Sequence, residues 1–288
     1  MVEYILGNYM VSTGKISQKQ LDNILDKQDQ VRVKLGLIAV SEGMITQEQA
    51  EEINRLQSTC DKRFGDIAIE KGYMTQAQLE KILKMQGNAY LIFVQSLVDA
   101  EVLKAEEMEN VIDSFRKENG YGLSDMEIIK SDDVEKIVPL FLPTEAEEFE
   151  EAIGIAVRAI IRCIDRHTYP GKAEMVTEVL EDQMVSQKLE GKTVKTTGFV
   201  EAEGGMLELA SVYGRETFEG MNEDVLDAGA EFLNCINGMY SATISAKESE
   251  LELMPPEYFM AGGKITGNKI CRIPLWVKNK KLYFVVAE

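Results

Sequence analysis

The sequence predicts two domains: an all-α helical-repeat domain within residues 1–143, and an α+β domain over residues 144–288 whose helices pack on an antiparallel sheet. Three observations predict this. The chain has 288 residues, and one domain commonly takes roughly half that. Columns of Gly, Ser/Thr and Gln recur at a 29-residue spacing through the first 115 residues. After Pro143 the spacing stops, and β-rich segments appear among amphipathic helical runs.

The repeat is carried by Gly7/Gly36/Gly65, Gly14/Gly43/Gly72, Ser17/Thr46/Thr75, Gln20/Gln49/Gln78 and Gln28/Gln57/Gln86. Each hydroxyl residue of the third column is followed three residues later by Gln. That is the pattern of a capping box, in which the hydroxyl accepts from an unpaired helix N–H and the glutamine reaches back. Helices are therefore expected to start at Ser17, Thr46 and Thr75. The preceding Gly14, Gly43 and Gly72 suit the left-handed position that ends a short helix. Each copy reads as a short helix, a tight turn and a second helix. Ile45, Ala50, Ile53 and Leu56, then Met74, Leu79, Ile82 and Leu83, recur at helical spacing and face a shared core. A fourth, decayed copy carries Val94, Glu101, Lys104, Glu107 and Phe115 at the matching positions.

In the second half a helix is expected over 145–166, with Phe149, Ile153, Val157, Ile160 and Ile164 on one side and acidic residues in its first turn. Residues 193–200 and 205–213 read as a β-hairpin, and a second helix follows over 222–246. KICRIPLWV and KLYFVVAE form another hairpin around Lys278-Asn279-Lys280. On the second helix Asp227, Glu231 and Asn234 fall at i, i+4 and i+7 and share a face. Leu226, Ala230, Leu233 and Ile236 supply a different, apolar face, so the polar trio points to solvent or a partner. Taken alone, exposed Glu and Asn are also what an ordinary solvated helix carries.

Composition narrows the function classes. Lys+Arg is 31 against Asp+Glu 49, a net charge of -18 shared by both halves, which argues against nucleic-acid binding and against anionic membrane surfaces. His167, the single histidine, follows an apolar helical run and reads as a helix-end residue; no histidine pair exists for a metal or a relay. Cys60, Cys163, Cys235 and Cys271 make no C-x-x-C pair and read as reduced thiols. No basic leader with a long apolar stretch and no membrane-length apolar run is present, so a soluble, cytoplasmic protein without membrane insertion is expected.

Two family resemblances add to these readings. ILGNYMVSTGKISQKQLDNILDKQ, KLGLIAVSEGMITQEQAEEINRLQ and RFGDIAIEKGYMTQAQLEKILKMQ resemble the units of the N-terminal domain of type II secretion and type IV pilus assembly ATPases (the GspE/MshE N-domain). Those units run Arg-Leu-Gly-x-x-aliphatic-aliphatic-x-x-Gly and end Leu-x-x-x-Leu-x-x-Gln. The resemblance extends through YGLSDMEIIKSDDVEKIVPLFLP (121–143), which looks like that family's β-then-helix tail. No phosphate-binding loop follows, so the ATPase itself is not represented. A subset of the family binds cyclic di-GMP at the Arg-Leu-Gly segment. Carried over by position, that implies a ligand site at Lys34, Leu35, Gly36, Arg63, Phe64 and Gly65, because the other two units begin with Ile5 and Ile92. Capping and packing also account for every repeated column, so a protein-docking helical module stands beside the nucleotide receptor.

In the second half, Asp227-x-x-x-Glu231-x-x-Asn234, then Gly238, then Pro255-Pro256, resembles the signature of the CheC/CheX/FliY phosphatases of bacterial chemotaxis. TGFVEAEGGMLEL looks like that family's glycine-bearing hairpin. A single signature is present, as in the CheX pattern. The resemblance implies a hydrolase acting on the phosphoaspartate of a CheY-like response regulator. Glu231 would pair with the regulator's lysine, Asn234 would orient the attacking water and Asp227 would assist. It also implies no cofactor of the chain's own, Mg2+ on the regulator partner, and a homodimer. A non-catalytic CheX-like dimerisation or docking module and a cyclic di-GMP-responsive adaptor are the alternatives.

Overall fold

The computed structural model describes residues 1–28, 31–57, 62–245 and 251–288. Cys60 and position 246, the expected end of the second long helix, lie outside the described residues. Contacts divide the chain into two units, Val2–Asp132 and Asp133–Glu288, the second also taking Met1.

The described residues of the first unit are helical: α1 (Val2–Ser12), α2 (Gln18–Lys27), α3 (Leu35–Ser41), α4 (Gln47–Gln57), α5 (Phe64–Glu70), α6 (Gln76–Lys84), α7 (Ala89–Asp99), α8 (Ala105–Asn119) and α9 (Leu123–Ser131). The capping boxes form. Ser17 Oγ accepts from Gln20 N at 3.3 Å while Gln20 Oε1 accepts from Ser17 N at 2.9 Å. The same pair of bonds joins Thr46 to Gln49, at 3.2 and 2.8 Å, and Thr75 to Gln78, at 3.3 and 2.8 Å. Gly14, Gly43 and Gly72 turn the chain with φ of 69, 64 and 70°. At the fourth position Glu101 does so with φ 55°, although it carries a side chain. Ile38, Ala50, Ile53, Phe64, Ile67, Leu79 and Ile82 belong to one core built by α3 to α6.

Residues 121–143 depart from the expected β-then-helix tail, because no strand forms there. Gly122 N donates to Asp125 Oδ2 at 2.7 Å to start α9, Met126 and Ile129 are its buried side, and Asp132 ends it with φ 57°. A four-residue helix α10 (Val134–Ile137) and a 3-10 turn (Val138–Phe141) with Pro139 in its first turn follow. These last two pieces belong with the second unit.

In that unit a 3-10 turn (Thr144–Phe149) leads into α11 (Glu150–Cys163), and Phe149, Ile153, Val157, Ile160 and Ile164 are all buried. The strands are β1 (Tyr169–Pro170), β2 (Glu174–Glu181), β3 (Met184–Glu190), β4 (Val194–Glu201), β5 (Glu252–Leu253), β6 (Glu257–Phe259), β7 (Gly263–Val277) and β8 (Lys280–Ala287). They form an antiparallel sheet in the order β1-β7-β8-β4-β3-β5, with β2 also on β7 and β6 also on β3. Lys278 and Asn279, both at positive φ, make the two-residue turn between β7 and β8. Helices α12 (Gly205–Gly214) and α13 (Glu223–Ser245) pack on each other and on the sheet.

The expected strand at 205–213 is thus a helix, and the reason lies just before it. Glu201, at the end of β4, accepts from the backbone N–H of Gly204 and, at 2.9 Å, from that of Met206. Its carboxylate caps the helix start and neutralises the exposed N–H groups. Gly204 takes φ 91°, and a Cβ on Gly205 would stand 2.6 Å from the Lys281 backbone. The glycine pair therefore seats a helix on β8 rather than turning a hairpin.

Candidate functional site

Helix α13 starts where Asn222 Oδ1 accepts from Val225 N at 2.9 Å, with Glu223 and Asp224 in its first turn. Val225, Leu226, Gly229, Ala230, Phe232, Leu233, Ile236 and Tyr240 are buried. Asp227, Glu231, Asn234, Cys235 and Gly238 are exposed, so the three polar residues singled out in the sequence share one accessible side of the helix. Neither Asp227 nor Glu231 makes an ion pair with a described residue, which leaves both carboxylates open to a cation from outside.

Asn234 differs from its neighbours because its side chain is tied back to the sheet. Its Oδ1 accepts from Gln187 Nε2 at 2.6 Å, and the same nitrogen donates to the Met254 carbonyl at 2.7 Å. Gln187 Oε1 accepts from Asn237 Nδ2 at 2.7 Å, and Asn237 is joined to Thr197 Oγ1 at 2.7 Å through its nitrogen and at 3.0 Å through its oxygen. Gln187, Thr197 and Asn237 are 2, 1 and 0% exposed. A buried polar group without partners costs stability, and here each has at least one.

The register of the sheet explains how they meet. Gln187 and Thr197 are directly opposed across β3 and β4, as are Val185 and Phe199 two residues along. Side chains two apart on a strand share a face. Phe199 stacks with Phe232 of α13 at 6.3 Å, so this is the face that meets the helix. The Met254-Pro255-Pro256 segment runs between β5 and β6 along the outer side of β3, where Met254 N donates to Lys188 O at 2.9 Å. Two successive prolines have no N–H for a ladder, so pairing breaks beside Gln187. At the rim, Tyr213 OH lies 3.3 Å from Cys235 Sγ. That bond first, then burial and the negative charge of nearby groups including Glu231, pushes the phenol up to about 12.

The second set of candidate residues is arranged differently. Lys34 and Arg63 are exposed at the starts of α3 and α5, and the Lys34 ammonium is 3.2 Å from Asp99. Leu35 is half-buried and Phe64 buried. A Cβ on Gly36 would meet the Phe64 ring at 3.1 Å, and one on Gly65 would meet Leu79 at 2.6 Å. The close approach these glycines permit is made by the protein's own helices. Among the described residues, no group of three or more His, Cys, Asp and Glu could hold a metal ion, and no helix is long and apolar enough to cross a membrane.

No family model matches the chain, and no curated protein matches it. Solved structures resemble about half of it. The chain is similar to a chemotaxis protein CheX from Desulfovibrio desulfuricans, at 14% identity over 49% of this chain and 98% of that one, with a TM-score of 0.43. It is also similar to a CheC-like protein from Shewanella oneidensis, at 16% identity over 50% and 99%, with a TM-score of 0.43. A third is a CheX–CheY–BeF3–Mg2+ complex from Borrelia burgdorferi, at 18% identity over 48% and 96%, with a TM-score of 0.38.

Gln187, Thr197 and Asn237 were not singled out from the sequence. One signal was there: Asn237 continues the apolar stripe of Leu226, Ala230 and Leu233 at helical spacing, where a polar residue needs a buried partner. The identity of that partner depends on the pairing of β3 with β4, which no local pattern specifies.

Proposed function

We propose that the second unit accelerates loss of the phosphoryl group from the phosphoaspartate of a CheY-like response regulator. The observation that carries this reading is the exposed side of α13, on which Glu231 has no ion-pair partner among the described residues and Asn234 is exposed with its amide held from behind. The sequence order Asp227, Glu231, Asn234 supports it through the resemblance to the CheC/CheX/FliY signature.

The chemistry asks little of such a protein. In an acyl phosphate the P–O bond to the aspartyl carboxyl is already weak. Water oxygen attacks phosphorus, that bond breaks, the carboxylate leaves as the free aspartate, and the water's proton departs with inorganic phosphate. The regulator carries its own Mg2+, so this chain supplies alignment. A ~100-fold acceleration corresponds to about 2.7 kcal/mol, within what orientation of one water provides. An uncharged amide at Asn234 holds that water without repelling the phosphoryl oxygens. Glu231 engages the regulator's lysine by a charge-assisted bond, and Asp227 helps set the approach.

Decay of radiolabelled phosphoregulator tests the reading. Asn234→Ala abolishes the acceleration and leaves the fold intact. Glu231→Ala raises KM, and added salt raises it for the wild type, because an exposed pair is screened. If a panel of regulators decays at its intrinsic rate with wild-type protein, or if Asn234→Ala is fully active, the unit is a CheX-like docking or dimerisation module instead.

For the first unit we infer a protein-docking helical module. What supports this is that its repeated polar residues are engaged in caps and its Gly36 and Gly65 faces are filled by Phe64 and Leu79. Titration calorimetry with cyclic di-GMP is expected to give no heat at high micromolar ligand, which is the test of this reading. Binding that Arg63→Ala removes would restore the nucleotide-receptor reading.

A further inference from the structure

The Asn234 amide has a donor end and an acceptor end, and which one faces outward is decided inside the protein. The backbone carbonyl of Met254 can only accept, so the Gln187 nitrogen turns toward it, at 2.7 Å. That nitrogen has a second hydrogen, which goes to Asn234 Oδ1 at 2.6 Å. From the other side Asn237 Nδ2 donates to Gln187 Oε1 at 2.7 Å, and Asn237 is itself held by Thr197. Turning the Gln187 amide over would set its oxygen against the Met254 carbonyl and its nitrogen against the Asn237 nitrogen. Polarity is therefore passed outward from one main-chain carbonyl through two side chains.

We infer that Gln187 is a positioning residue that locks Asn234 with its oxygen inward and its NH2 group outward, so that the surface presents a hydrogen-bond donor. Turning Asn234 over would bring two NH2 groups face to face. Pro255 and Pro256 support the lock, because the residue before a proline is held extended, which fixes the backbone that carries the Met254 carbonyl. The kinetic part of this inference rests on the phosphatase reading; the orientation does not. A donor end takes one lone pair of a water oxygen and leaves another to attack phosphorus. It cannot draw a proton from that water, so Asn234 orients the nucleophile without acting as a base, and the proton leaves on phosphate.

Two measurements test it. In full-length 15N-labelled protein, with the signals assigned through Asn234→Ala and Gln187→Glu, the Gln187 Nε2 protons exchange with water at least about tenfold more slowly than a free amide. The Asn234 Nδ2 protons exchange at close to the free rate. Protected Asn234 protons, or unprotected Gln187 protons, overturn the orientation. In the phosphoregulator assay, Gln187→Glu presents a carboxylate that turns the Asn234 NH2 inward, and kcat falls about 10- to 100-fold while KM stays within about twofold. An unchanged kcat in folded Gln187→Glu overturns the positioning role. Should that variant not fold, proton exchange in the wild type decides. If wild-type protein accelerates no regulator, the phosphatase reading fails, and the exchange result still settles the orientation by itself.

Discussion

The two units use polar side chains in opposite ways. In the first, Ser17, Thr46 and Thr75 bond to glutamines three residues away, on the surface, and the bonds end where they begin. In the second, Thr197, Gln187, Asn237 and Asn234 come from two strands and a helix and are joined through the interior up to one exposed amide. A cap serves the helix it starts. A chain of bonds that crosses the core and emerges at the surface fixes the direction of a group there, and that is what a site needs.

The largest stability effect that separates these uses is expected at Asn237. Asn237→Ala leaves Gln187 Oε1 and Thr197 Oγ1 without this partner in the buried interior, and urea unfolding should show a loss of about 2–3 kcal/mol. Next is Gly65→Ala, whose new methyl would stand 2.6 Å from Leu79; overpacking of that kind costs about 1–3 kcal/mol. A cost near zero would mean that Leu79 yields freely and that the face is open to other occupants after all. Thr46→Ala should cost about 1 kcal/mol, the usual worth of a cap. A loss as large as that of Asn237→Ala would erase the distinction between local and through-core bonding. The smallest effect is a gain: Glu101→Gly relieves a left-handed residue that has a side chain and should raise the unfolding free energy by up to about 1 kcal/mol. No change would show that α7 and α8 hold this turn without strain.

Legibility in the sequence followed the same division. The starts of α2, α4 and α6 could be read because a capping box lies within four residues, and the turn at Lys278 and Asn279 because two residues define it. The shared exposed side of Asp227, Glu231 and Asn234 could be read from helical spacing alone. Residues 205–213 misled because MLELASVY is apolar enough for a strand, while Glu201 and Gly204, just upstream, decide for the helix. Residues 121–143 misled in the same direction, since a family's strand was expected where Asp125 caps a helix. Gln187 could not be read as a support of Asn234, because 47 positions and the register of two strands separate them.

Asn237 has a consequence for how α13 lies on its sheet. An apolar helix face grips a sheet through contacts that vary smoothly, so neighbouring rotations about the helix axis differ little in energy. A buried amide that must meet both Thr197 and Gln187 makes one angle of roll distinct from the rest. Phe232 and Leu233 hold the helix down, and Asn237 chooses its angular setting, which sets where every exposed side chain along its 23 residues points.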